Sequence, residues 1–150
     1  MEILTVMVIL GVMAVYILPA MYSTYSSVST SSAVNQVVRD LKYAHEYALA
    51  KRDTVWVEFD VPGNGYAIYG GDTVPEKALL ESLHDNGDFI VQLGTGVFSK
   101  LQLTSASFDG SPNLVIDKFG LPILTSDGTV VINGTYTIQV AAGIGTVTLQ

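Results

Sequence analysis

The chain has 150 residues, of which 49% are hydrophobic and 14% are charged, and it contains no cysteine. Up to Arg52 three acids face four bases, whereas from Asp53 onward eleven acids face three bases, so the net charge changes from +1 to −8. This length allows one domain of ordinary size. So acidic a surface disfavours nucleic-acid binding, which needs Lys and Arg to displace counterions from phosphates, and no nucleic-acid partner is expected.

The first predicted element is an apolar helix. No charged residue lies between Ile3 and Met21, and this run is about as long as the ~20 apolar residues needed to cross a bilayer. Glu2 stands at its start, where a lone charge in hydrocarbon costs roughly 2.5–3.5 kcal/mol. The next basic residue in the chain is Arg39, about 55 Å away along a helix. We therefore expect Glu2 to find its partner in another molecule; an anchor whose Glu2 reaches interfacial water is the open alternative.

The helix is predicted to continue past a polar, uncharged segment at residues 22–32. Beyond it, apolar residues recur at three- and four-residue steps, as in an amphipathic helix. These residues are Val34, Val37, Val38, Leu41, Ala44, Ala48 and Leu49. We predict that residues 1–24 form a membrane or filament-core helix, that residues 25–52 form the amphipathic half of the same helix, and that this half packs on a globular head formed by residues 53–150.

The head is predicted to be rich in short strands separated by turns. The predicted strands are 54–60, 66–69, 89–93, 96–98, 100–103, 113–117, 121–124, 128–133, 135–141 and 146–149. Residues 74–88 form an irregular segment with a short helical turn around 76–83. Asn133-Gly134 is a strong hairpin signal, because both residues accept positive φ. The pattern predicts an α+β fold with an antiparallel head, whose last third is a β-meander.

The N-terminal pattern of Glu2, an apolar run, Gly11 and Pro19 resembles the signature of type IV pilins and type II secretion pseudopilins. The resemblance implies a ladle-shaped fold in which Glu2 pairs with the terminal amine of a neighbouring subunit. Pro19 costs a helix interior about 3 kcal/mol and Gly11 about 1 kcal/mol. The resemblance accordingly implies a helix broken near Gly11–Pro19 in a filament and continuous in an isolated subunit. It also implies that a few mature residues and a basic leader precede Met1.

The rest of the chain is most similar to the H-type (GspH/FimT) pseudopilins. Lys51-Arg52 leads into the strand Thr54-Val-Trp-Val-Glu-Phe-Asp, and Leu114-Val-Ile-Asp-Lys-Phe-Gly precedes a C-terminal hairpin. The resemblance implies a structural subunit that polymerises with itself into a helical type IV pilus or pseudopilus filament. Its partners would be other copies, the inner membrane before assembly and the pilus or secretion machinery. The filament would be extracellular or periplasmic, with Glu2, Gly11 and Pro19 as the assembly residues.

Several alternatives stay open within and outside that class. A minor H-type pseudopilin of a type II secretion system is favoured by the fold resemblance, whereas a major pilus subunit suits the small head and its Ser/Thr-rich surface. A minor pilin for DNA uptake would need a basic C-terminal surface, but no Lys or Arg follows Lys118. A membrane-anchored binding module that acts as a monomer is the alternative from a different class.

An enzyme would need a nucleophile, a base or a metal set in a pocket. His45 and His84 occur in no zinc, phosphate-loop or triad spacing. Asp85, Asn86 and Asp88 offer oxygens to a hard cation, but they lack the alternating ligands and the distal Glu of an EF-hand. We therefore predict no catalytic site, no metal site and no cofactor.

Overall fold

The computed structural model describes residues 2–73, 76–82 and 87–150, and for residues 2, 4–5, 14–29 and 97 it describes the backbone alone. The chain divides into two compact units, Met1–Ser32 and Ala33–Gln150. Helix α1 has the bounds Glu2–Lys51 and so contributes residues to both units. The predicted single long helix, and its unwinding near Gly11–Pro19 in a filament, stay predictions.

The second unit contains the strands. Their bounds are β1 Val55–Asp60, β2 Gly65–Gly70, β3 Ala78–Leu79, β4 Ile90–Gln92, β5 Leu103–Ser107, β6 Asn113–Ile116, β7 Gly128–Ile132, β8 Tyr136–Val140 and β9 Val147–Leu149. One sheet has the order β3-β2-β1-β6, with β4 also paired to β2, and the other has the order β5-β7-β8-β9. Every pairing is antiparallel. The predicted α+β class with an antiparallel head is confirmed.

One hydrophobic core joins α1 to both sheets in this second unit. The side chains from α1 are Ala33, Val34, Val37, Val38, Leu41, Ala44 and Ala48, none more than 8% exposed. Steps of three and four residues place them on one face of the helix, as predicted. Leu49, the last residue of the predicted amphipathic pattern, is the exception because it is 48% exposed. It packs over Gly120, where an added Cβ would lie 2.6 Å from the Leu49 Cγ.

The strands predicted at 54–60 and 66–69 form one hairpin, and the hairpin predicted at Asn133-Gly134 is confirmed by its turn. In the first, β1 pairs with β2 from Val55↔Gly70 to Asp60↔Gly65, and Asn64 has a φ of 54° in the turn between them. In the second, Asn133 and Gly134 have φ values of 55° and 64° between β7 and β8. In the second turn, positive φ at both central residues is the geometry that makes a two-residue turn match the twist of its strands.

Two segments predicted as strands have other structures. Gly96–Phe98 is a 3₁₀ turn, and the φ of 52° at Gly96 is one that extended backbone does not adopt. Residues 121–124 form only an isolated bridge between Pro122 and Ile116, and Pro122 cannot donate to a ladder.

Elsewhere, pairing between distant residues overrides the local pattern. Ala78–Leu79, predicted within a helical turn, is a strand because it pairs with the end of β2. β6 also pairs with β1 in the first sheet, so the meander is limited to β7, β8 and β9. The strand predicted at 100–103 begins only at Leu103 and continues to Ser107.

The segment before β5 is held by two asparagine side chains. Asn64 Oδ1 accepts from Leu103 N at 2.6 Å, and its Nδ2 donates to Leu101 O at 3.2 Å. Asn133 Oδ1 accepts from Gln102 N at 2.7 Å, and its Nδ2 donates to Lys100 O at 2.9 Å. The amides take the place of neighbouring strands, and Asn64 thereby joins the two sheets.

Candidate assembly site

The start of α1 is apolar on every side. Its described side chains are Ile3, Val6, Met7, Val8, Ile9, Leu10, Val12 and Met13, and they are 53–77% exposed. With about 3.6 residues per turn, a run such as Val6–Leu10 covers the whole circumference of the helix. A helix that is hydrophobic all round is normally buried in a core or a membrane. This segment therefore lacks the covering that its composition requires.

The three predicted assembly residues all lie on this helix. Glu2 is the first residue of α1, and Pro19 lies within it, but both side chains are outside the described atoms. Gly11 has no atom within 4 Å of the position that a Cβ would occupy, apart from its neighbours and the backbone of its own helix. The roles of these residues in assembly stay predictions. Over the residues that the structure describes, no helix is long and apolar enough to cross a membrane.

A polar network around the buried Asp40 connects the C-terminal part of α1 to the first sheet. Tyr66 Oη donates to Asp40 Oδ2 at 2.6 Å, and Gln36 Nε2 donates to Asp40 Oδ1 at 2.8 Å. Arg39 Nη2 in turn donates to Gln36 Oε1 at 2.6 Å. Asp40 is only 6% exposed, and a buried carboxylate is stable only when hydrogen bonds compensate its lost hydration. The network therefore fixes the part of α1 around Asp40 on β2.

The protonation state of Tyr66 suits this role. Burial raises the pKa of the Tyr66 phenol well above its usual value, and the negative charge of Asp40 and the hydrogen bond to it raise the pKa further. Tyr66 consequently stays protonated and remains a donor at neutral pH. Sequence reasoning missed Asp40, although a signal existed: Ala33, Val37, Asp40 and Ala44 are spaced by four, three and four residues, which places the acid on the buried face.

The predicted candidates for chemistry are not brought together in the described part of the chain. The His45 ring packs against Gly145, where an added Cβ would lie 2.8 Å from the His45 Nδ1. That nitrogen is buried and has no hydrogen-bond partner. His84, Asp85 and Asn86 lie outside the described residues. Among the described residues, no group of three His, Asp or Glu side chains could hold a metal ion.

Comparisons with known proteins bear on the fold. Neither a protein-family model nor a curated protein matches the sequence. The minor pseudopilin EpsH from the type 2 secretion system of Vibrio cholerae matches with a TM-score of 0.57 and 15% identity, over 81% of this chain and 96% of EpsH. A second EpsH structure matches with a TM-score of 0.57 and 14% identity, over 81% of this chain and 92% of that one.

The type IV minor pilin FimU of Pseudomonas aeruginosa gives a similar result. It matches with a TM-score of 0.56 and 16% identity, over 83% of this chain and 90% of FimU. Identities this low establish a common fold and nothing finer. The resemblance predicted from the sequence is thus confirmed at that level: the chain has the fold of the type IV pilins and type II secretion pseudopilins.

Proposed function

We propose that the chain is a structural, non-enzymatic pilin-like subunit that polymerises into a helical type IV pilus or pseudopilus filament through the apolar start of α1. The observation that carries the proposal is the exposure of eight consecutive or nearly consecutive apolar side chains between Ile3 and Met13. The structures that share its fold are of a minor pseudopilin and a minor pilin, which supports the same kind of role.

The energetics favour several neighbours over one. Burying the remaining exposed surface of these eight side chains contributes on the order of 10 kcal/mol at the usual value per unit of apolar area. Association costs about 4–15 kcal/mol in lost rotational and translational freedom. A single partner covers only one side of the helix, so its contribution is smaller than the total. A central bundle, in which each helix is surrounded by others, covers every side.

Glu2 would set the register of this bundle. An unpaired charge buried among apolar helices is destabilising by about 3–5 kcal/mol, so a misaligned copy is penalised. The resemblance to pilins implies that the partner is the terminal amine of a neighbouring subunit. Before assembly, lipid in the inner membrane would cover the same helix, and the segment Gly11–Pro19 would unwind as the filament forms.

The test is the replacement of Glu2 by alanine. We expect Glu2→Ala protein to accumulate in the membrane fraction while filaments disappear from sheared surface material. Glu46→Ala is the matched control, because Glu46 is an exposed acid on the same helix and its removal changes the net charge equally. Immunoblots of both fractions and cryo-electron microscopy provide the measurement. Normal filaments from Glu2→Ala protein would refute the role of Glu2.

A minor H-type pseudopilin is the second candidate within this class. Two of the matching structures are of the minor pseudopilin EpsH, whereas a major subunit would make up most of the filament. Copy number per filament, measured by quantitative mass spectrometry, separates the two. A monomeric binding module would instead remain single in detergent and leave no filament in the sheared fraction.

A further inference from the structure

The last strand, β9, forms an edge of the second sheet. In the order β5-β7-β8-β9 it is paired with β8 on one side alone. The ladder between these two strands extends beyond Val147–Leu149. Ala141 N donates to Thr146 O at 3.0 Å, and Gln150 N donates to Thr137 O at 2.8 Å. The edge therefore presents an extended backbone from Thr146 to Gln150.

The backbone groups of this edge alternate in direction. In an antiparallel ladder every second residue pair is hydrogen-bonded, and the residues between them point their N–H and C=O groups away from the neighbouring strand. The register and the bonds at its two ends show that Thr146, Thr148 and Gln150 face β8. The N–H and C=O groups of Val147 and Leu149 consequently point out of the sheet. Among the residues that the structure describes, no backbone group outside the ladder bonds to them.

Other edges of the two sheets are protected. The β6 edge is covered, because Ile123 N donates to Val115 O at 2.8 Å. On β4 the outward oxygen of Gln92 accepts from Thr95 Oγ1 at 3.1 Å. β3 is two residues long and follows Lys77, and β5 is interrupted by a bulge. Covering segments, charges, bulges and shortness are the usual protections of a sheet edge. The β9 edge has no charged residue, no proline and no bulge.

The β9 edge is also uncharged and partly apolar. The chain has a net charge of −7, but no charged side chain follows Asp127, so two copies can approach here without the repulsion that their other surfaces cause. Leu149 points to the same face as the buried Val147, because side chains alternate along a strand. It is nevertheless 38% exposed, whereas Ile138, opposite it on β8, is 0% exposed. The core face of the sheet is therefore open along this edge.

We propose that β9 pairs antiparallel with β9 of a second copy, so that the second sheets of the two copies form one continuous sheet. The two-fold axis passes beside Thr148, which lies opposite its own equivalent. Val147 of each copy then lies opposite Leu149 of the other, and each such pair exchanges both of its N–H···O bonds. The two apolar side chains adjoin on the core face, and the two threonines form a favourable cross-strand pair on the outer face.

This contact goes beyond the proposed function and does not depend on it. A two-fold contact joins the same surface of both copies. A filament in which every α1 points the same way has no two-fold axis between its own subunits. The β9 contact therefore joins subunits of two filaments, or two chains that have not yet assembled. An edge strand of a different protein is the alternative occupant.

Disulfide formation tests the register, because the natural chain has no cysteine. Full-length Thr148→Cys protein in detergent gains one thiol, and the proposed pairing places it directly opposite the same thiol of the second copy. The Cα atoms of such a pair are about 4.5 Å apart, which is within the range that a disulfide spans. Thr146→Cys is the matched control. This position is also exposed and lies on the same face of the strand, but it is opposite Gln150 of the second copy.

Under mild oxidation we expect Thr148→Cys protein to give about tenfold more disulfide dimer than Thr146→Cys protein, the ratio that corresponds to about 1.4 kcal/mol. An equal mixture of Thr146→Cys and Gln150→Cys proteins should also form a mixed dimer, because these two positions face each other in the same register. Equal dimer yields from the two single variants, Thr148→Cys and Thr146→Cys, would overturn the proposal.

Proline at residue 149 provides a second measurement. Because the Leu149 N–H group points away from β8, Leu149→Pro removes a donor from the proposed pairing and none from the ladder within the chain. In Thr148→Cys protein it should lower the dimer yield several-fold. Leu149→Ala is the matched control, since it keeps the N–H group, and urea unfolding followed by Trp56 fluorescence checks that both variants fold. Equal dimer yields from Leu149→Pro and Leu149→Ala would contradict the contact.

The two proposals fail separately. Filaments from a chain whose Thr148→Cys variant forms no excess of dimer would refute the β9 contact and leave the proposed function intact. Dimers from a chain that forms no filament would refute the proposed function and retain the contact. Thr148→Cys protein that stays monomeric in detergent but forms a disulfide with a different protein in cells would assign the edge to that protein and overturn the pairing of two copies.

Discussion

The two ends of helix α1 differ in whether their apolar side chains are buried. Residues 33–48 place theirs on one face, against the sheets of the same unit. Residues 3–13 carry similar side chains on every side and leave them largely exposed. The first pattern is satisfied within one chain, whereas the second is not satisfied by the described residues of this chain. In the proposed function, the same residue types serve folding in one region and association in the other.

The largest expected effect comes from a charge at the centre of the exposed apolar segment. Leu10→Asp should abolish filaments, because an unpaired carboxylate among packed helices costs several kcal/mol (~3–5 kcal/mol). Stability of the unit Ala33–Gln150 should not change. Filament yield and urea unfolding followed by the fluorescence of Trp56, the single tryptophan, measure the two properties. Filaments from Leu10→Asp at the level of a Leu10→Met control would contradict the distinction between the regions.

The second test compares the same substitution, leucine to alanine, in the two regions. Leu41→Ala should lower the free energy of unfolding by about 2–5 kcal/mol, because it leaves a cavity in a packed core; Leu41 is fully buried. Leu10→Ala should change it by less than about 0.5 kcal/mol, as exposed positions do. Both are measured in the full-length chain in detergent. Equal losses would mean that residues 3–13 belong to the folding core after all.

A third test concerns the polar network around Asp40. Asp40→Ala and Tyr66→Phe should each lower the free energy of unfolding by about 1.5–3 kcal/mol, as expected for hydrogen bonds to a charged group. The double variant should lose less than the sum, because both changes remove the same bond. A double-mutant cycle by urea unfolding measures the coupling, with Glu46→Ala as the exposed control. Strict additivity would show that the pair does not interact.

The smallest expected effect is a dependence on alkaline pH. The pKa of Tyr66 is raised in the folded state, mainly by burial, so above about pH 10 the folded chain binds more protons at this site than the unfolded chain. The stabilising contribution is present below that pH and is lost as the pH rises. The melting temperature should therefore fall more steeply above pH 10 in wild type than in Tyr66→Phe. Parallel curves would contradict it.

Local patterns predicted the elements that local physics determines. The stripe from Val34 to Ala48 follows from helical periodicity, and the Asn133-Gly134 turn follows from the positive φ that it needs. The pattern failed where a distant partner decides the structure. Ala78–Leu79 is a strand only because β2 is beside it. Residues 100–102 were predicted as a strand, but asparagine side-chain amides, and not a neighbouring strand, bind their backbone groups.

The candidate site shows the same limit. Glu2, Gly11 and Pro19 were identified from the order of residue types, and a single chain provides no neighbour against which their roles could be measured. Asp40 was missed because an acid on an amphipathic helix is normally assigned to water, although its spacing places it on the buried face. The packing of Leu49 over Gly120 could not be predicted, because the two residues are far apart in the sequence.

The positions of Asn64 and Asn133 have a consequence for the chemical stability of the chain over time. Each precedes a glycine, and asparagine is among the thermolabile residues. Conversion of the Asn64 amide to an acid would replace the donor facing Leu101 O by a negative oxygen, so attraction would become repulsion at the joint between the sheets. In a long-lived filament built from such subunits, deamidation at these two asparagines would be the first chemical damage, and the apolar helices at its centre would be unaffected.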